Sequence, residues 1–247
     1  TLSIAARLYR RAISEKAIKE AAGNVESKTG ENAKRETGEN AKRETERSTK
    51  KDEAITLKDF VARNGMFLVF SASIVFVFFQ NSVFNTYLLQ ILMDVGGNSG
   101  QMGRLFSFMA LLELPGLFFF SRIRTRLSCQ FLLKVASVAF VLKVFLSYLA
   151  PSVGFVYLAF LFQLISFPIF LSASVHLVDE VMEKGEAVKG QSLITGMITL
   201  STVFASLLGG VILDRSGASL LLLVSTVLCV IGTVIVILSV DRIRPRG

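Results

Sequence analysis

Beyond residue 65 the chain is dominated by six long runs of apolar residues, separated by short polar breaks. The runs cover residues 66–92, 104–121, 128–149, 155–176, 191–212 and 219–240. At a rise of about 1.5 Å per residue, a helix made from each run is long enough to cross a hydrocarbon layer about 30 Å thick. Inside lipid every backbone polar group must bond within its own segment, which favours helices over strands. The sequence therefore predicts an all-α membrane protein with six transmembrane helices.

Charge is concentrated ahead of these runs, since 26 of the 46 charged residues lie in the first 65 positions. Residues 1–22 have apolar side chains at helical spacing, and residues 29–44 repeat TGENAKRE twice with almost nothing apolar to bury. We expect residues 1–65 to form a cytoplasmic linker with a short amphipathic helix and this charged repeat. That helix either lies on anionic lipid or continues a longer chain. Residues 66–240 would be the transmembrane domain and 241–247 a cytoplasmic tail.

The polar breaks differ in charge. Basic residues gather at the second and fourth breaks and at the end of the chain: Arg122, Arg124, Arg126, Lys134, Lys184, Lys189, Arg242, Arg244 and Arg246. The opposite breaks hold only Arg215, with Arg104 at the rim of the second run. Because cytoplasmic loops are enriched in Lys and Arg, the pattern predicts that both termini are cytoplasmic, in a plasma or inner membrane.

Four of the predicted helices carry a polar residue at a similar depth, about 12–14 Å below the outer surface. A charged side chain at mid-span costs about 3 kcal/mol and usually faces a bundle interior or a water-filled cavity. We therefore predict Glu113 and Lys143 to be a proton-coupling pair, in which the carboxylate exchanges its proton as water or solute comes and goes. A purely structural pair that fastens the second helix to the third is the alternative.

The remaining polar residues near this layer are predicted to contact a solute. They are Asn81, Asn85, Gln163 and Ser166. Asn81 and Asn85 lie one helical turn apart, so that both could point at one solute; hydrogen bonding between helices is an equally good interpretation.

Prolines and small residues provide two further patterns. Pro115 and Pro168 each free a backbone carbonyl near the polar layer and weaken their helices there. In the fifth run, Ser201, Ala205 and Gly209 form a stripe at four-residue spacing. Small residues at this spacing let two helices approach closely, so we predict that the stripe packs against another helix.

Several function classes lack support in the sequence. It contains no metal-ligand spacing, no nucleophile paired with a base and no phosphate-binding loop, so we predict neither an enzyme nor a bound metal or cofactor. In the charged repeat Glu alternates with Lys and Arg, and no aromatic residue is interspersed. That pattern argues against binding to nucleic acid.

Five phrases occur in one order along the chain: ALLELPGLFF, SRIRTRL, APSVGFVYLAFLFQLISFPIF, VKGQSLITG and LLGGVILDRSG. With the six predicted helices, they resemble the carboxyl-terminal half of a major facilitator superfamily transporter of the lactose-permease-like branch, over about residues 60–240. The resemblance implies half of a twelve-helix bundle, with an amino-terminal six-helix half as partner. The two halves would rock about a central site to give alternating access.

The resemblance also implies roles for single residues. Glu113 stands where this branch has a glutamate used in sugar binding and coupling, and Lys143 stands where it has an intramembrane arginine. Gln163 and Ser166 stand where it has a histidine and the proton-bearing glutamate. Because neither can hold that proton, coupling would fall to Glu113 or to the other half.

The resulting expectation is part of a proton-linked secondary active transporter for a small polar solute, such as a saccharide or another metabolite. One alternative is a drug or metabolite exporter of the same superfamily, with phenylalanines lining its cavity. The other is a six-span scaffold or subunit that transports nothing.

Overall fold

The computed structural model describes residues 64–182 and 185–243, and all regular structure in these two stretches is helical. The helices are α1 (Gly65–Asp94), α2 (Ser99–Arg124), α3 (Cys129–Tyr148), α4 (Val153–Phe160), α5 (Gln163–Val181) and α6 (Ala187–Val240). The predicted linker, with its amphipathic helix and charged repeat, lies outside the described residues except for its last two positions. Residues 244–247 of the predicted tail also lie outside them.

Local side-chain bonds determine where two of the helices begin. Asn98 and Gln101 form a reciprocal capping box at the start of α2, with bonds of 3.0 and 2.9 Å between side chain and backbone. The Ser128 hydroxyl accepts a bond from the backbone of the first turn of α3. At the other end of α2, Arg122 and Arg124 lie in the last turn, where positive charge is favourable. The polar breaks in the sequence thus carry the signals that start and end helices.

Five helical stretches are long and apolar enough to cross a membrane: α1, α2, α3, α4 together with α5, and α6. The sequence predicts six, and the difference lies in α6. This helix has 54 residues and would be about 81 Å long if it were straight. It is interrupted at Gly217, whose φ of 77° and ψ of −179° are not helical and suit glycine. Gly217 lies in the break predicted between the fifth and sixth runs.

The two arms of α6 pack against the same level of α1. In the first arm, the Ser201 hydroxyl donates to the Val75 carbonyl at 2.8 Å. In the second arm, Gly232 lies so close to α1 that a Cβ atom there would be 2.8 Å from the backbone nitrogen of Val77. Because both arms reach one level of α1, α6 turns back on itself at Gly217.

The predicted small-residue stripe lies in the first arm and is buried at Ser201, Ala205 and Gly209. The Tyr87 ring covers Gly209, where an added Cβ atom would be 2.6 Å from the ring. The Tyr87 hydroxyl also donates to the Ser206 carbonyl at 2.6 Å. The prediction that these small residues pack against another helix is confirmed.

A tightened turn separates α4 from α5. The backbone N–H groups of Leu161 and Phe162 donate to carbonyls three residues earlier, as in a 3₁₀ turn. Pro168, inside α5, cannot donate to the Leu164 carbonyl. The chain in this region is therefore irregular at two points, and Gln163 begins α5 between them.

The helices differ in how far they are enclosed. In α1, 72% of the apolar stretch of 18 residues is buried, whereas in α2 the share is 17%. A cluster of aromatic rings connects α1 to α3 and α5: the Phe78 ring lies 5.5 Å from Phe140 and 5.4 Å from Phe170, and these two lie 5.9 Å apart. Edge-to-face and tilted ring pairs of this kind stabilise a packed interior. α1 is therefore central within the described residues, and α2 lies at their edge.

We expect Gly232→Leu to destabilise the protein by about 1–3 kcal/mol, because a side chain there must displace the α1 backbone rather than a flexible side chain. Gly196→Leu is the control, since nothing lies within 4 Å of its Cβ position on the same helix. Unfolding in detergent can be followed with a thiol-reactive dye, because Cys129 and Cys229 are free and buried. Equal losses of stability in the two variants would contradict the close approach of α1 and α6.

Candidate functional site

Lys143 is fully buried on α3, and its ammonium group is enclosed by side chains of α3 and of neighbouring helices. Its Nζ donates to Oε1 of Gln163 at 2.8 Å and to Oδ1 of Asn81 at 3.4 Å. Gln163, at the start of α5, and Asn81, on α1, are themselves only 1% and 7% exposed. A buried cation requires such partners, because an unpaired charge in an apolar interior is very costly. Lys143 therefore connects α3 to α1 and α5.

Three phenylalanine rings surround the same ammonium group. Its Nζ lies 5.3 Å from the ring centre of Phe84, 5.1 Å from Phe140 and 5.5 Å from Phe160. An ammonium within about 6 Å of a ring face is attracted by the negative potential of that face, more strongly when water is excluded. The rings come from α1, α3 and α4, so they hold the cation where three helices meet.

Glu113, on α2, is half-buried, and it meets the network through Gln163. The Gln163 Nε2 donates to Oε1 of Glu113 at 2.8 Å. Glu113 and Lys143 were predicted to lie beside each other, and the structure brings them to opposite ends of one amide. Within the described residues the two form no direct ion pair. The resulting order of groups is a carboxylate, an amide and an ammonium.

The other predicted site residues have different surroundings. Asn81 belongs to the network, whereas Asn85, four positions later on α1, is exposed. Side chains four residues apart on a helix point in directions that differ by about 40° around its axis. The backbone of Tyr87 also departs from helical geometry just beyond Asn85. Ser166 is fully buried, and its hydroxyl has no hydrogen-bond partner within the described part of the chain. The structure thus brings together Glu113, Lys143, Gln163 and Asn81, but not Asn85.

The rings of Phe84, Phe140 and Phe160 around Lys143 form a phenylalanine cage. This cage was not predicted from the sequence. Phe84 and Phe140 each lie three residues from a polar residue of the layer, Asn81 and Lys143, so they share a helix face with it. That spacing is a usable signal. With 21 phenylalanines in the chain, however, many such pairs occur by chance.

A second polar cluster lies where α2 and α5 end and α3 begins. Arg124 pairs with Glu180 at 3.1 Å, and the Cys129 thiol donates to the same carboxylate at 3.4 Å. The His176 ring stacks on Phe120 with 5.4 Å between ring centres. Arg124, Cys129, His176 and Glu180 border a cavity of about 410 Å³. The cluster joins the ends of three helices and lies apart from the Lys143 network along each of them.

A larger cavity, of about 860 Å³, lies between the first turns of α2 and α4. Arg104, Ser107, Phe108 and Tyr157 are among the residues that line it.

Residues 64–182 and 185–243 contain no group of three or more His, Cys, Asp or Glu side chains arranged to bind a metal ion. The side chains hydrogen-bonded to one another in the network around Lys143 are two amides and a carboxylate.

The long apolar helices, with charged side chains held among them, are those of an integral membrane protein, in which intramembrane charges face the interior. Residues 11–224 match the MFS_1 like family. The chain therefore belongs to this family of major facilitator superfamily transporters. A comparison with curated proteins finds no match.

Proposed function

We propose that the chain is part of a proton-linked secondary active transporter that carries a small polar solute by alternating access. The observation that carries the proposal is the network at the polar layer, in which a half-buried carboxylate is joined through Gln163 to a fully buried ammonium. Intramembrane ionisable groups connected in this way are typical of proton and substrate pathways.

The chemistry of coupling follows from charge balance. With Lys143 charged, an ionised Glu113 leaves the network neutral, whereas a protonated Glu113 leaves one uncompensated positive charge in an apolar environment. An uncompensated buried charge is costly, so binding of a proton to Glu113 changes the free energy of this arrangement of the helices. A solute that meets Glu113 from its exposed side alters the same balance. Binding of proton and solute would thus be coupled.

The proposed architecture completes six crossings. The two arms of α6 would cross separately, with Gly217 and its neighbours Asp214 and Arg215 in the turn between them. Both termini would be cytoplasmic, in a plasma or inner membrane, since the basic residues at the end of α2 then face the cytoplasm. The little-enclosed α2, with Leu111, Leu114 and Phe118 more than 60% exposed, would face lipid or an amino-terminal six-helix half.

The proposed solute contacts are Asn81, Asn85, Gln163 and Ser166, and the solute is a saccharide or another polar metabolite. Their amides and hydroxyl can donate or accept hydrogen bonds. The free hydroxyl of Ser166 supports its place in this set, because a buried hydroxyl without a partner can gain a bond from a ligand.

Glu113→Gln tests the proposal. The amide keeps the shape of the carboxylate but cannot carry the proton, so we expect normal insertion and complete loss of proton-driven solute accumulation. Accumulation against a gradient would be measured in proteoliposomes of the whole transporter, with Asp94→Asn at the exposed end of α1 as the control. Undiminished accumulation by Glu113→Gln would contradict the assignment.

The two alternatives predict different results. Counterflow of labelled sugars, set against a panel of hydrophobic cations, separates an importer of polar solutes from an exporter. Single cysteines at Asn85 and Gln163 separate a transporter from a scaffold, because labelling from both sides of the membrane requires a cavity that opens alternately.

A further inference from the structure

The Gln163 amide can have only one orientation in the network. Lysine carries three donors and no acceptor, so the group that faces Lys143 must be the amide oxygen. The amide nitrogen then faces Glu113 and needs an acceptor there, which an ionised carboxylate supplies. The Gln163 amide is therefore polarised by the buried ammonium at its oxygen and donates from its nitrogen to the carboxylate.

We propose that Gln163 is a positioning residue, which holds the Glu113 carboxylate in its ionised, coupling-competent arrangement by relaying the charge of Lys143. The inference rests on the proposed function and deepens it. Gln163 is 1% exposed and both ends of its amide are bonded, so in this arrangement it acts through Glu113. The solute contact proposed above for Gln163 would require one of these two bonds to open.

The packing around Gln163 supports this role. Gly116, one turn after Glu113, lies against Pro168 and the Leu164 carbonyl, which brings α2 close to the start of α5. The tightened turn at Leu161 and Phe162 comes just before Gln163. The distance between the two backbones is thereby constrained, and an amide with two methylenes spans it. Lys143 is anchored in turn by its phenylalanine cage.

The strength of the Gln163–Glu113 bond depends on the proton. A hydrogen bond to an ionised carboxylate is roughly twice as strong as one to a neutral group, and polarisation of the amide by the ammonium adds to it. When Glu113 takes up a proton the bond weakens, and α2 is held less firmly against α5. The position of the Glu113 side chain would thus depend on whether Glu113 carries a proton.

The test uses Gln163→Met, which has a similar shape and lacks the amide. We expect proton-driven accumulation to fall roughly ten-fold, as for the loss of one charge-assisted hydrogen bond. We also expect the infrared carboxylate band of Glu113, identified as the band missing from Glu113→Gln, to shift. The matched control is Gln191→Met, because the Gln191 amide donates to the Asp179 carboxylate at 3.3 Å on an exposed surface. The control should change neither readout.

A relay through Gln163 requires in addition that Lys143→Met shifts the Glu113 band, although Lys143 does not touch Glu113. An unshifted band in Lys143→Met would overturn the relay even if Gln163→Met fails to fold. In the Lys143→Met background, Gln163→Met should have a much smaller effect than in the unmodified protein, which is the non-additivity expected of groups that act in series.

The outcomes separate this inference from the proposed function. If Glu113→Gln abolishes accumulation while Gln163→Met and Lys143→Met leave the Glu113 band in place, the relay is wrong and the proposed function stands. If Glu113→Gln accumulates solute normally, the proposed function is wrong and the inference falls with it. Additive effects of Lys143→Met and Gln163→Met would also overturn the relay.

Discussion

Lys143→Ala is expected to lower the free energy of unfolding by about 3–5 kcal/mol and to abolish transport. Two losses add: a cavity remains where the buried side chain was, and the oxygens of Asn81 and Gln163 lose their donor. The rings of Phe84, Phe140 and Phe160 would then enclose empty space. This is the largest destabilisation that we expect from a single substitution in the described residues.

Lys143→Met separates the two losses. It keeps most of the volume and removes the charge, so we expect a loss of only about 1–3 kcal/mol from the unsatisfied amide oxygens. Unfolding in detergent, followed through the buried thiols of Cys129 and Cys229, compares the two variants. If Lys143→Ala and Lys143→Met were equally stable, the side chain would not fill the caged volume described above.

Gly116→Val is expected to have the second largest effect, a loss of about 3 kcal/mol together with loss of coupled accumulation. An added Cβ atom would be 2.5 Å from Cγ of Pro168 and 2.7 Å from the Leu164 carbonyl oxygen. A proline ring and a backbone oxygen cannot rotate away, so α2 must move off α5. Glu113, one turn earlier, would then lose its bond to Gln163.

The control for this substitution lies on the same helix. Gly103→Val introduces the same side chain into α2 at a position where nothing lies within 4 Å of the Cβ site. We expect stability and accumulation close to those of the unmodified protein. If Gly116→Val behaved in the same way, the close contact between α2 and α5 would not be needed to hold the carboxylate.

Family membership and the polar network support the proposal in different ways. The match to the MFS_1 like family covers most of the chain and indicates a transporter. The coupling ion and the solute depend instead on the chemistry of a few side chains. The experiments on Glu113 and Gln163 address those side chains directly.

Much of the fold could be predicted from the sequence because its signals are local. Long apolar runs require helices in lipid, and polar breaks with capping residues such as Asn98 and Ser128 indicate where helices begin. The break at Gly217 also follows from local sequence, since a glycine adopts its positive φ without strain. Depth along a helix follows from counting residues, so Glu113, Lys143 and Gln163 could be expected in one layer.

The sequence by itself determined the helical class, the approximate extent of the apolar segments and the level of the polar layer. Only the tertiary structure decided that Gln163 lies between Glu113 and Lys143, that Phe84, Phe140 and Phe160 enclose the ammonium, and that Asn85 is exposed. The physical reason is that spacing along a chain gives a residue's height on its helix. The rotation of each helix about its axis, and its choice of neighbours, depend on how all the side chains pack together.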